Sequence, residues 1–580
     1  MKNKIFPGVM QLSALNDFKF DGENSWDNSG HSVGPAGDMN GDGHNDLIIG
    51  AYGCDSSKGC TYLLLSNNTG AFREVKLDGE EEDDQSGWSV GAIGDFNHDH
   101  YADLIVGAPG YHNAAGRSYV IFGAQQIGEE GLLNLSSLNG LNGFKLDGEN
   151  DNDWSGQAVS GAGDINGDGV ADLIIGAYNH DGMKGRTYVV FGGPGVGSGG
   201  LLNLSSLNGA NGFKLDGEYD NDLSGKAVGA VGDINGDGYS DLIIGAPGYN
   251  DSRGRTYVVF GRPGLGGKGL LNLSNLNGTD GFKLDGEYNS DQSGASVSAM
   301  GDINGDSYAD LLIGAWGYPA NDAQGRCYVV FGGLNVGGDG VFDLGNLTGA
   351  NGFKLDGEND QDWSGFSVSG AGDFNNDGYA DLFIGAPGYS GSKGCSYVVF
   401  GGQRVGNSGI FNLSSLTGTN GFKLEGENND DQSGYSGSAA GDINGDGYTD
   451  LIIGAFGYDQ NHGRSYLVFG APMSTPTPTP SPSLLAPEVI PLSTLNGQNG
   501  FRLEGEDISD YSGYSVSAAG DVNGDGYHDI LIGACGYRVG NNQGRSYVVF
   551  GRRDLGSIGS INLASLNGAN GFKLDGEFIN

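Results

Sequence analysis

Eight times the chain repeats Asp-x-Asn-x-Asp-x-x-x-Asp, a nine-residue phrase with side-chain oxygens at positions 1, 3, 5 and 9 and, in six copies, a glycine at position 6. Calcium prefers hard oxygen donors, about six to eight of them, and a sharp glycine turn lets a short loop aim several at one centre. The side-chain donors and the position-7 backbone carbonyl are Asp38, Asn40, Asp42, Asp46 and His44 in the first copy, and Asp95, Asn97, Asp99, Asp103 and Tyr101 in the second. The third has Asp164, Asn166, Asp168, Asp172 and Val170, and the fourth Asp233, Asn235, Asp237, Asp241 and Tyr239. The fifth has Asp302, Asn304, Asp306, Asp310 and Tyr308, and the sixth Asp373, Asn375, Asp377, Asp381 and Tyr379. The seventh has Asp442, Asn444, Asp446, Asp450 and Tyr448, and the eighth Asp521, Asn523, Asp525, Asp529 and Tyr527. Three aspartates give each loop a formal charge of −3, which one calcium ion would reduce to about −1. An EF-hand starts similarly but needs a glutamate at position 12 and flanking helices; here each loop runs straight into an apolar segment such as Leu173-Ile174-Ile175-Gly176-Ala177. The plainer alternative is a set of polar turns whose Asp and Asn side chains bond their own backbone. His100 and Ser307 replace the position-6 glycine, where positive φ strains a side chain, and Asn376 stands at position 4, which supplies no ligand.

The elements that must position these loops repeat with them. Loop starts are separated by 57, 69, 69, 69, 71, 69 and 79 residues, and a fixed period marks a repeat architecture. In the third unit, small residues at 158–163 precede the loop, and the apolar run 173–177 follows it. A turn at 179–182 leads to the β-branched and aromatic run 186–192, and a Gly-rich connection leads to Phe213-Lys214-Leu215-Asp216, which alternates with period two. This reads as four short strands per unit and an all-β chain. The segment 201–207 is ambiguous and its structure is left open. Four-stranded units repeated seven or eight times predict a β-propeller, whose blades find a shared core only by stacking, with the small-residue strand nearest the crowded axis. The 113 glycines have no Gly-X-Y period, so collagen is excluded, and 10% aromatics argue against disorder.

Most units also carry a Phe-Gly pair and a Gly-Ala-Pro-like triplet, as in Gly107-Ala108-Pro109 with Phe122-Gly123 and Gly245-Ala246-Pro247 with Phe260-Gly261; the first unit has Leu65-Ser66 instead of the pair. The sequence resembles the FG-GAP repeats of integrin α-subunit propellers. The resemblance implies seven blades, calcium bound on the underside of the ring, and a partner engaged by the opposite face. The chain therefore favours a seven-bladed propeller at 1–471, a Pro/Ser/Thr-rich linker at 472–487, and an eighth repeat at 488–580 that starts a second propeller; the alternative is one eight-bladed ring. In the first scheme Phe18-Lys19-Phe20-Asp21 completes the seventh blade. The segment 490–496 echoes 9–16, and the chain reads as incomplete at its end.

The net charge of −43 disfavours nucleic acid and anionic membrane surfaces. No apolar stretch is long enough to span a membrane and no convincing signal peptide is present. Loops of this kind in extracellular modules bind at about 10⁻⁴–10⁻³ M, which suits the outside of cells. Cys54 and Cys60 flank a short turn and are either a local disulfide or two thiols; Cys327, Cys395 and Cys535 stand alone. The Asp-x-Ser-Gly motif that precedes each inner strand, from Asp27 to Asp510, is either an exposed polar ring or a turn that fixes the start of the strand. Scattered histidines and the absence of nucleophile and phosphate motifs predict no catalysis. The expectation is a calcium-dependent extracellular or cell-surface adhesion module with a protein or glycan ligand. The alternatives are a lectin-like propeller, with Trp154, Trp316 and Trp363 stacking on sugar or packing between blades, and a non-catalytic accessory region of a secreted enzyme.

Overall fold

The structure is a computed structural model that describes residues 28–66, 73–129, 131–319, 322–471, 489–536, 544–553, 555 and 559–575. It is a single ring of eight β-sheets, each with four antiparallel strands in chain order. The third blade shows the plan. Its inner strand Ala158–Gly163 pairs with Asp172–Ala177, which pairs with Arg186–Val190, which pairs with Gly212–Asp216. The second strand is buried along its whole length because neighbouring blades cover both faces, so it reads Leu-Ile-Ile-Gly-Ala without alternation. The inner strand keeps its small residues half-buried around the axis, as predicted.

The segment 201–207, left open above, is a strand and a helical turn. Leu201–Asn203 runs parallel to the fourth strand of the preceding blade, Gly143–Asp147, and Leu204–Ser206 is a 3₁₀ turn. The second to eighth units thus each reach back to cover the preceding blade's outer edge, and seven of the eight sheets have five strands among the described residues.

The favoured seven-blade count is corrected to eight. The eighth inner strand, Ser512–Gly520, lies against the first, Ser32–Gly37. Ser29 bridges Gly544, and Ser515 Oγ donates to the Gly30 carbonyl at 2.7 Å. After the Pro-rich stretch the chain returns to the seventh sheet, where Gly500–Glu504 pairs with Arg464–Val468. The stretch therefore interrupts a blade between its third and fourth strands, where other units have the Gly-rich connection, and this accounts for the 79-residue spacing. The stretch itself, 472–488, and the expected strand at Phe18–Asp21 lie outside the described residues.

Two repeated contacts bind blade to blade. The glycine of each second strand sits where the next blade touches: a Cβ on Gly245 would fall on the carbonyl oxygen of Gly294, and one on Gly533 would fall on that of Gly30, across the ring's closure. The near-verbatim Phe-Lys-Leu-Asp-Gly-Glu supplies an ionic network. Glu287, at the end of one copy, accepts Arg326 Nη1 at 2.6 Å and Lys354 Nζ at 3.0 Å from the following blade, while Arg326 Nε reaches Asp356 at 2.5 Å. Equivalent triads surround Arg117, Arg186 and Arg255. The Asp-x-Ser-Gly aspartates from Asp84 to Asp510 are at most 3% exposed, so they are not a displayed ring. They build the turn before the strand: Asp222 accepts the Tyr219 amide at 2.8 Å, and Ser293 bridges Gly254 of the blade before. Cys54 and Cys60 are disulfide-bonded, and Cys327, Cys395 and Cys535 are buried thiols.

Candidate metal centres on one face and an aromatic arc on the other

Each aspartate loop joins the inner strand to the second, so all eight lie on one face of the ring. In the third loop, Asp164 accepts the amides of Gly167, Asp168 and Gly169 at 2.7, 3.1 and 2.9 Å; Asn166 accepts Asp168 N at 2.9 Å, and Asp168 accepts Val170 N at 3.0 Å. Asp172, at position 9, is fully buried and takes one amide on each oxygen, Ile165 N at 3.0 Å and Gly192 N at 2.9 Å. Gly192 is the glycine of the Phe-Gly pair, so that pair anchors the last carboxylate of the loop. In the first unit Ser66 does this with its amide at 2.7 Å and its hydroxyl at 3.1 Å.

The predicted residues of the third loop are thus linked to one another through shared backbone amides. Among the described residues no three acidic, histidine or cysteine side chains converge closely enough to share an ion. The donor chemistry nevertheless fits a hard divalent cation. Burial pushes the position-9 carboxyls up to about 7 at Asp46, Asp103, Asp172, Asp241, Asp310, Asp381 and Asp450, and to about 8 at Asp529, against the pull of their amide bonds. The carboxylate at position 5 raises each further. A buried acid repelled by its loop neighbours is a group that a cation would relieve.

Adjacent loops are also tied together. At five of the eight junctions the position-8 amide of one donates to the position-1 carbonyl of the one before, as Ala102 N does to Asp38 O and His528 N to Asp442 O, each at 3.0 Å. The position-7 side chain lies on the position-4 glycine of the preceding loop: Tyr239 on Gly167, Tyr527 on Gly445, and His44 on Gly524 where the eighth loop meets the first. Position 7 thus turns its side chain to the neighbouring loop. The second copy has His98 at position 4, at φ 64°, and the facing position in the third loop holds the smaller Val170.

At position 6, His100 and Ser307 take φ of 77° and 73°, the strain expected from sequence. A Cβ at the equivalent Gly169 or Gly238 would meet nothing within 4 Å, so the penalty is conformational and not steric. Ser307→Gly is expected to stabilise the protein by about 1 kcal/mol, read from denaturant midpoints; a loss of stability would contradict this.

Burial also raises the Asp-x-Ser-Gly carboxyls, to about 6 at Asp84, Asp222, Asp362 and Asp431 and about 7 at Asp291. The folded state then binds more protons than the unfolded state between the unfolded pKa near 4 and these values. The stability from these groups is present below that range and is lost as pH rises through it. Calcium-free protein is expected to melt at lower temperature as pH is raised from about 5 to about 7.5; a rise over that range would contradict the assignment.

The opposite face carries a feature that the sequence reading missed. The residue after each Asp-x-Ser-Gly is aromatic in five consecutive blades: Phe366, Tyr435, Tyr514, His31 and Trp88. With Tyr52, Phe456 and Trp316, which follow second strands, these half-buried rings form a continuous arc. Centroid separations are 4.9 Å for His31–Trp88, 5.6 Å for His31–Tyr514, 5.3 Å for Tyr514–Tyr435 and 5.0 Å for Tyr435–Phe366. The equivalent positions in the other three blades are Gln157, Lys226 and Ala295. Burial lowers the pKa of His31, partly offset by its bond to the Trp88 carbonyl, which favours a neutral imidazole. Reading that one column of the repeat would have shown the arc. Of the tryptophans singled out from sequence, Trp316 and Trp363 pack edge-to-face at 6.1 Å, and Trp154 packs on Tyr178 at 5.7 Å.

Comparison with known proteins gives the same repeat. The FG-GAP repeat model matches residues 29–59, 86–121, 155–190, 227–259, 293–330, 364–402, 433–475 and 512–549. The chain is 30% identical to integrin alpha-5 of Xenopus laevis over 249 residues, 41% of this chain and 20% of that protein. It is 33% identical to integrin alpha-4 of Xenopus laevis over 236 residues, 40% of this chain and 20% of that protein. It is 35% identical to integrin alpha-IIb of Mus musculus over 195 residues, 32% and 16% respectively. The matched region spans about a fifth of these relatives.

Proposed function

The chain belongs to the FG-GAP repeat family, and from this we propose that it is a calcium-clamped adhesion or interaction module of the integrin α type, working outside the cell or at its surface. Calcium would be held in each loop by the carboxylates at positions 1, 5 and 9, the asparagine at position 3 and the position-7 carbonyl, for example Asp164, Asn166, Asp168, Val170 and Asp172. The ion would supply the positive charge that the buried position-9 acid lacks. Because most neighbouring loops are hydrogen-bonded or packed on one another, ions in them would stiffen that face of the ring beyond single loops.

The observation that carries the binding role is the aromatic arc. A run of adjacent, half-buried rings in an otherwise strongly acidic surface is the composition of a protein-binding core rather than of a solvated face. Its ligand is a protein segment presenting apolar or cationic groups, which rings accept on their faces and acidic surroundings attract. Among the described residues no helix is long and apolar enough to cross a membrane.

The test is attachment of cells or matrix proteins to immobilised protein in millimolar calcium. Attachment is expected to drop at least about tenfold in the Trp88→Ala/Tyr435→Ala variant, with its melting temperature checked in parallel, and to need calcium. Undiminished attachment by a well-folded variant would remove the arc from the proposal.

A further inference from the structure

The junctions between neighbouring aspartate loops are not all alike, and two that differ stand on opposite sides of the ring. Position 4 of the loop is glycine in six copies; the second copy has His98 there and the sixth has Asn376. The backbone turn is shared, with φ of 64° at His98 and 55° at Asn376 against 76° at Gly236 and 82° at Gly305. The difference is the side chain. On each of the six glycines the position-7 ring of the following loop lies so close that a Cβ would collide with it, as Tyr308 does on Gly236 and Tyr379 on Gly305. A residue with a Cβ excludes that packing.

The position-8 amide bond follows the same division. Among the described residues it is missing after both substituted loops: Ala171 N does not reach Asp95 O, and Thr449 N does not reach Asp373 O. Where the eighth loop meets the first this bond is also missing, but the His44 ring keeps its place on Gly524. The third to sixth loops are therefore joined in one set of four, and the seventh, eighth, first and second in another. The blades are not parted at the two breaks. A Cβ on Gly107 would fall on the Gly156 carbonyl oxygen and one on Gly385 on that of Gly434, as at the other interfaces. Between the second and third blades Gly193 N also still donates to Phe96 O at 2.8 Å; between the sixth and seventh no equivalent bond is present among the described residues, so that break is the more complete.

These ties join ligand to ligand. The donating amide at position 8 sits between the position-7 carbonyl and the position-9 carboxylate, and the accepting carbonyl belongs to the position-1 aspartate of the loop before. An ion that orders one loop therefore also holds the backbone that carries the next loop's ligands, which lowers the ordering cost of the second ion. Resting on the calcium reading given above, we propose that calcium binding is coupled within each set of four loops and is uncoupled across the junctions that His98 and Asn376 interrupt. Position 4 supplies no ligand, and its role is to decide which sites act together.

The test is amide hydrogen exchange of the full chain with and without calcium, read loop by loop by mass spectrometry. Asp373→Asn/Asp377→Asn removes two ligands of the sixth site. In this variant the calcium-induced slowing of exchange in the fifth loop is expected to shrink at least about fivefold, while that in the seventh stays at its wild-type value. Asn376→Gly keeps every ligand, its φ of 55° suits glycine, and Tyr448 stands at position 7 of the next loop to pack on it. By itself it is expected to increase the calcium-induced slowing in the seventh loop at least about fivefold. Fifth and seventh loops that respond alike to the double substitution, or a seventh loop unmoved by Asn376→Gly, overturn the coupling and leave the calcium sites standing. Exchange that calcium slows in no loop of the wild-type chain removes the calcium sites, and the coupling with them.

Discussion

Arg326→Ala is expected to destabilise the ring by about 3–5 kcal/mol, the usual consequence of removing one member of a buried ion network. The guanidinium is 7% exposed and lies 3.7 Å from the centroid of the Tyr318 ring, between Glu287 of the preceding connection and Asp356 of its own blade. Without it, Glu287 keeps only Lys354, and Asp356 loses its partner while staying largely buried. Most of the loss is the penalty of stranded charge. Glu287→Gln/Asp356→Asn in the Arg326→Ala background should therefore recover part of it. The chain contains two natural precedents: Cys395 and Cys60 stand at the arginine position in the sixth and first blades. There lysines fill in, Lys423 meeting Glu358 at 2.7 Å and Lys58 meeting Asp78 at 2.7 Å. Denaturant melts of the single and triple variants measure both effects; a single-variant loss under about 1 kcal/mol would put this network among surface ion pairs.

Gly245→Ala is expected to destabilise by about 3 kcal/mol, at the upper end for overpacking by one methyl group. The new Cβ would fall on the Gly294 carbonyl oxygen, which is backbone and cannot rotate away, so the fourth and fifth blades must separate. Gly294 N also donates to Gly314 O at 3.0 Å, and a shift there would disturb the next blade as well. The matched control is Ala246→Gly, which removes a buried methyl from the same strand without pushing the blades apart. Equal, small losses in both variants would show that the interface is looser than the structure indicates.

Much of this was legible in the sequence. The four-strand unit, the axial position of the small-residue strand and the eight loops follow from pattern and period alone. The blade count did not. The Pro-rich stretch looks like a boundary between domains, and only the pairing of Gly500–Glu504 with Arg464–Val468 shows that it lies inside a blade. The covering strands were missed because three residues, as in Leu201–Asn203, carry no periodicity. The roles of Lys and Glu in Phe-Lys-Leu-Asp-Gly-Glu were hidden because they meet across a blade interface, for example 65 residues apart for Lys423 and Glu358. The aromatic arc was hidden because its members are spread over different repeats, from His31 to Tyr514, and adjoin only when the ring closes.

The central claim is that the eight loops are calcium sites that hold the ring together. Its most direct test is calorimetric calcium titration of chelator-treated protein, with melting curves recorded alongside. Saturation near eight ions per chain is expected, together with a higher melting temperature in calcium and a loss of one site in Asp168→Asn/Asp172→Asn. No heat of binding and no change in melting at several millimolar calcium would contradict the claim, and would leave the loops as amide-capped polar turns.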